Sequence, residues 1–166
     1  GARFADAIGV GEVIVASGDD TIVDVEGDLN HDGVQDIVLG ASREENTEED
    51  EGAIYVQFMT ANATVQDQVK ISDGVGGLVR GSLDAGDRFG SAVAWLGDLD
   101  GDGVHDLAVG AAGDGDAEEA EGSVFVLFMY EDGTVREQLK IADGLGGLAA
   151  GTLSDGDLFG SALAYV

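Results

Sequence analysis

The sequence predicts an all-β fold made of tandem four-stranded antiparallel sheets, and three observations predict it. A unit of 70 residues occurs twice without a gap. Within each unit, short apolar runs rich in β-branched and aromatic residues alternate with Gly- and Asp-rich turns. Few stretches run beyond ten residues without Gly, which leaves little room for a helix.

The repeat fixes the organisation of the chain. Asp28-Leu-Asn-His-Asp-Gly-Val-Gln-Asp36 returns 70 positions later as Asp98-Leu-Asp-Gly-Asp-Gly-Val-His-Asp106. The same offset carries Phe58-Met59 onto Phe128-Met129 and Gln68-Val-Lys-Ile71 onto Gln138-Leu-Lys-Ile141. Of the 70 aligned positions 31 are identical. They include apolar positions and the only two lysines, Lys70 and Lys140, so a shared Gly/Asp bias does not account for the match. The two repeats span 18–87 and 88–157. Residues 158–166 open a third unit, of which they hold the first strand, because Leu158-Phe-Gly-Ser-Ala-Leu-Ala164 matches Arg88-Phe-Gly-Ser-Ala-Val-Ala94. Residues 1–17 are an atypical N-terminal segment, in which Glu12–Ala16 reads as a strand available for pairing.

Each unit then divides into four strands, which the second shows most clearly. Ser91–Leu96 is an apolar run closed by Gly97, and the Asp-rich loop follows. Asp106–Ala112 is a second run, ended by Gly113, with an acidic stretch at 114–121 behind it. Gly122–Met129 carries Val, Phe and Leu. Glu131-Asp-Gly133 is a turn with Gly for a positive φ. Thr134–Ile141 alternates apolar and polar residues, the pattern of a strand exposed on one face. Phe58, Trp95, Phe125 and Phe128 read as core residues between sheets, and the acidic stretches 44–51 and 114–121 as solvated loops.

Composition narrows the function. The 166 residues, 44% of them apolar, suffice for an ordinary core. Against 34 acidic residues stand 7 basic ones, a net charge of −27. Such a polyanion repels phosphate backbones, which excludes nucleic acid as a partner, and it attracts cations. Salt or bound Ca²⁺ relieves its self-repulsion, and the scarcity of lysine fits a saline habitat or an acidic extracellular protein. Without Cys there is neither a disulfide nor a thiolate metal site. No apolar run approaches the roughly 18 residues of a membrane helix, so membrane insertion is not expected. Asn62-Ala-Thr64 matches a glycosylation sequon on a hairpin turn.

The nine-residue loops carry the chemistry. Asp98, Asp100, Asp102 and Asp106 occupy positions 1, 3, 5 and 9, with Gly103 at position 6 where the chain bends sharply. Position 7, Val104, offers a backbone carbonyl. Alternate carboxylates in a tight turn converge on one centre, and hard oxygens in this number suit Ca²⁺, with Mg²⁺ the second choice. The first loop offers Asp28, Asn30, Asp32, the Val34 carbonyl and Asp36. Asn30 keeps an oxygen but removes a charge, so weaker affinity is expected there. Two Ca²⁺ sites follow. An EF-hand is excluded because position 12 is Leu39 or Val109 instead of a bidentate Glu, and strands replace the flanking helices. The competing reading is a solvated acidic turn without metal. His31 and His105, at positions 4 and 8, are expected to point outward.

Phe89-Gly90, the Gly97–Asp106 loop and Leu107-Ala-Val-Gly-Ala-Ala112 together resemble the FG-GAP repeat. The Pro of that motif is absent: Ala112 and Ser42 follow the two Gly-Ala pairs, and Asp19-Asp20 stand in place of Phe-Gly in the first unit. The resemblance implies the blade of a β-propeller of the kind found in integrin α subunits and in bacterial and archaeal surface proteins. It implies Ca²⁺ in the loop joining the first two strands of each blade, where the ion is mainly structural. Because a propeller closes with about 4–8 blades, two units and a beginning imply an incomplete propeller or a blade array.

The expected function is a calcium-binding extracellular or cell-surface repeat module for adhesion or scaffolding, with a protein as partner. One alternative is a self-assembling homo-oligomer, a filament or surface-layer subunit joined by strand exchange through 12–16 and 159–166. Another is the non-catalytic repeat region of a larger secreted enzyme. No catalytic site is expected, because the histidines are tied to the loops and no nucleophile elbow appears.

Overall fold

Strand pairing follows the punctuation of the sequence. The computed structural model describes residues 27–46, 48–115 and 120–164 together with the backbone of 14–16 and 21–24. Most of the N-terminal segment 1–17, the Asp19-Asp20 pair, residues 116–119 of the second acidic stretch and residues 165–166 lie outside the described residues. The strands are β1 (Ile14–Ala16), β2 (Thr21–Asp24), β3 (Ile37–Ala41), β4 (Ala53–Met59), β5 (Val65–Ile71), β6 (Phe89–Gly97), β7 (Asp106–Ala111), β8 (Ser123–Met129) and β9 (Val135–Ile141). They form two antiparallel meanders, β1-β2-β3-β4-β5 and β6-β7-β8-β9. The fold is all-β, as the turn spacing predicts, and β1 adds a fifth strand to the first sheet.

Burial grades across each sheet and explains the composition. Every residue of β7 is buried and nearly every residue of β8, so these strands carry almost no polar side chains. The edge strands β5 and β9 are exposed or half-buried along most of their length. One apolar cluster spans both sheets, from Val38, Ile54 and Phe58 to Phe89, Trp95 and Phe125. Phe89 meets Phe125 edge to face at 5.5 Å. Phe128 departs from expectation: it is half-buried, and the Arg136 guanidinium lies over its ring.

The start of each unit is docked on the unit before it. Phe89 bridges Gly52 in parallel, its amide donating to the Glu51 carbonyl at 3.0 Å. Phe159 repeats this on Gly122, its amide donating to the Glu121 carbonyl at 2.8 Å. Of segment 158–166, residues 158–164 are described, and they make this single bridge rather than a strand. Their backbone partners lie at 120–121, and no strand among the described residues runs beside Ser161–Ala164 to form a ladder.

The acidic stretches are less solvated than composition implies. Glu51 is fully buried and accepts a hydrogen bond from the Glu48 amide. Glu44 binds Lys70 Nζ at 3.0 Å and the Tyr55 hydroxyl at 2.9 Å, and Lys70 and Tyr55 together hold its carboxyl below the usual range against the opposing effect of burial. Asp114 pairs with Lys140. The two lysines therefore repeat because each pins an acidic stretch to the outer strand of its sheet.

Candidate metal centre

Each Asp-rich loop joins two neighbouring strands of its sheet, β2 to β3 and β6 to β7. Gly33 and Gly103 take φ of 84° and 95°, the left-handed bend that position 6 requires. The loops fold on their own first carboxylate. Asp28 accepts the Asp32 amide at 3.0 Å and the Gly33 amide at 2.7 Å. Asp98 accepts the Gly101 amide at 2.7 Å and the Gly103 amide at 2.9 Å.

The last carboxylate of each loop ties it to the sheet. Asp36 and Asp106 are fully buried. Asp36 accepts the Leu29 amide at 3.0 Å and the Met59 amide at 3.0 Å. Asp106 accepts the Leu99 amide at 3.0 Å and the Met129 amide at 3.2 Å. The ladder slips by one residue at Phe58/Met59 and again at Phe128/Met129. Each Met amide at that slip bonds the loop carboxylate, so the repeated Phe-Met pair marks where sheet and loop are joined. Burial raises the carboxyl pKa of both Asp36 and Asp106, and neighbouring loop carboxylates push it the same way against the lowering effect of the amide bonds. A cation offsets that repulsion.

Asp98, Asp100 and Asp106 bring one oxygen each within 4.8 Å of one another. Oxygens sharing one Ca²⁺ at about 2.3–2.6 Å lie at most about 5 Å apart, so the separation fits such an ion. Asp102 is not in this group: its oxygens accept the Val104 amide at 2.9 Å and face Arg136 Nη1 at 3.2 Å. In the first loop, Asn30 stands where Asp100 does, its Oδ1 accepts the Asp32 amide at 3.0 Å, and Asp32 in turn accepts the Val34 amide at 2.8 Å. Val34 is half-buried and Val104 buried.

The two histidines differ. His31 is exposed, as expected, and lies 3.8 Å from Glu131 of the other sheet. His105 does not point into solvent. It packs edge to face on Trp95 at 6.1 Å and over Gly27, where a Cβ would lie 2.6 Å from its Nδ1. The residue that sequence reading missed is Arg136. It lies 30 positions beyond the loop, and only its counterpart Gln66 marks it as a difference between the repeats.

Residues 22–56 and 89–127 match the FG-GAP repeat. Mouse integrin alpha-3 (Mus musculus) is 35% identical over 118 residues, which cover 70% of this chain and 10% of the integrin. Integrin alpha-4 of Xenopus laevis is 34% identical over 106 residues, 64% of the chain and 9% of the relative. Mouse integrin alpha-7 is 36% identical over 118 residues, 70% and 9% respectively. The chain thus spans about a tenth of the length of the curated relatives it matches.

Proposed function

The chain belongs to the FG-GAP repeat family, and on that premise we propose that it is an extracellular, calcium-braced repeat module for adhesion or structural scaffolding. In this reading the blades run 18–87 and 88–157, each with one Ca²⁺ loop. The ligands are Asp28, Asn30, Asp32, the Val34 carbonyl and Asp36 in the first loop, and Asp98, Asp100, Asp102, the Val104 carbonyl and Asp106 in the second. The convergence of Asp98, Asp100 and Asp106 on one point carries the reading. These residues hold the ion and lock the loop to β8 through the Met129 amide, and the ion neutralises the carboxylates that repel one another. The resulting role is mechanical: a rigid loop at the edge of each blade, offered to a protein partner. Melting curves in chelator and in millimolar Ca²⁺ test it, with a rise in Tm expected on adding the ion.

Strand exchange between copies is favoured less. Part of each segment suited to it is engaged within the chain, Ile14–Ala16 with β2 and Phe159 with Gly122.

A further inference from the structure

One register position separates the two loops. Phe58 faces Asp67 and Met59 faces Val65, so Gln66 is skipped in β5; Phe128 faces Glu137 and Met129 faces Val135, so Arg136 is skipped in β9. A residue left over at such a slip is freed from the alternation, and its side chain is re-aimed. Arg136 turns to loop 98–106. Its Nη2 donates to Asp100 Oδ2, and its Nη1 lies 3.2 Å from Asp102 Oδ2. The Phe128 ring, 5.9 Å below its Cζ, steadies that direction. The other oxygens of the same two carboxylates are already engaged, Asp100 Oδ1 by the Asp102 amide and Asp102 Oδ1 by the Val104 amide. Arg136 therefore holds the oxygens that the loop backbone leaves free for an ion.

We propose that Arg136 is a tethered counter-cation that competes with the divalent ion for loop 98–106 and offsets the extra carboxylate, Asp100, by which that loop differs from loop 28–36. Four carboxylates and one guanidinium leave the second loop with the same three negative charges that Asp28, Asp32 and Asp36 give the first. Charge alone then does not make the first loop, with its Asn30, the weaker one. Without the ion, the guanidinium holds the second loop together; with it, Arg136 swings outward from a half-exposed position. This inference rests on the calcium reading of the same loops.

The test is a Ca²⁺ titration of the whole chain followed by NMR, with the Gly33 and Gly103 amides reporting their own loops, in the wild type, Arg136→Gln and Gln66→Arg. Arg136→Gln should tighten Ca²⁺ at the Gly103 loop by roughly two- to fivefold, the range a part-exposed ion pair supplies, and leave the Gly33 loop unchanged. Gln66→Arg should weaken the Gly33 loop by a similar factor, and in chelator Arg136→Gln should melt below the wild type. If both loops bind but Arg136→Gln leaves the Gly103 loop unchanged or weaker, the competition is overturned while the calcium reading stands. If neither glycine responds to Ca²⁺ in any variant, the calcium reading itself falls and the competition with it.

Discussion

Gly40 of the first sheet and Gly90 of the second meet backbone to backbone: a methyl group on Gly40 would lie 2.1 Å from the Gly90 carbonyl oxygen. The contact recurs 70 residues on, where a methyl on Gly110 would lie 1.8 Å from the Gly160 carbonyl oxygen. The Phe-Gly of one unit and the Gly-Ala of the unit before it are thus two halves of one junction. Phe fills the apolar space between sheets, and the paired glycines let the backbones close.

Gly40→Ala should therefore open the junction between the sheets. Neither Gly40 nor Gly110 has a positive φ, so the substitution tests contact alone. A loss of about 1–3 kcal/mol is expected, as for an overpacked core. The contrast is Gly81→Ala, where a Cβ meets open space and the cost comes from its φ of 79° alone. Urea denaturation of the two variants checks this: the m-value should fall for Gly40→Ala if the sheets come to unfold separately, and stay unchanged for Gly81→Ala.

Asp106→Ala should destabilise the protein even in chelator. It strands the buried Met129 amide, at a cost of about 1–3 kcal/mol, and frees the part-buried Leu99 amide at a smaller cost. Asp100→Ala removes an exposed carboxylate of the cluster and should abolish ion binding at this loop with a small effect in chelator. Melting both variants with and without Ca²⁺ separates the structural share of the loop from its metal share.

His31 takes a φ of 59° where the second loop has Gly101 at 82°. His31→Gly should raise stability in chelator by up to about 1 kcal/mol, by relieving a side chain in the left-handed region. Gly101→His should lower it by a similar amount. Thermal melts of the two reciprocal variants check the sign.

Asp87 gives a pH signature apart from the metal loops. Burial is the main cause that pushes its carboxyl from 3.8 to about 6, with repulsion from Asp114 and Asp84 adding to it, and the Asp84 amide and Lys140 opposing. The folded state then holds a proton that the unfolded chain releases, so stability falls as pH rises from about 3.8 to 6 and is level above. Asp87→Asn should raise Tm at pH 7–8 by roughly 3 °C or more and match the wild type near pH 4, read by melts across that range.

Much of this was legible in the sequence. The four-strand unit, the turn glycines and the nine-residue loops all rest on short-range patterns, and the structure places strands within one or two residues of the apolar runs. What stayed hidden depends on contacts between distant residues. Nothing local tells that Glu51, inside an acidic run, is buried at the junction beside Phe89. Nor does composition tell that His105 packs on Trp95, or that Phe128 serves as a platform for Arg136. The slip at Phe-Met is invisible too, because it arises when two strands are laid side by side, yet it decides which side chain reaches the loop.

The most direct measurement is calorimetry of Ca²⁺ titrated into chelator-treated protein. Two ions bound per chain, with a higher melting temperature in their presence, is the predicted result. No heat of binding and an unchanged Tm in millimolar Ca²⁺ would contradict the account, because carboxylates that repel one another at Asp36 and Asp106 would then be held together by the backbone alone.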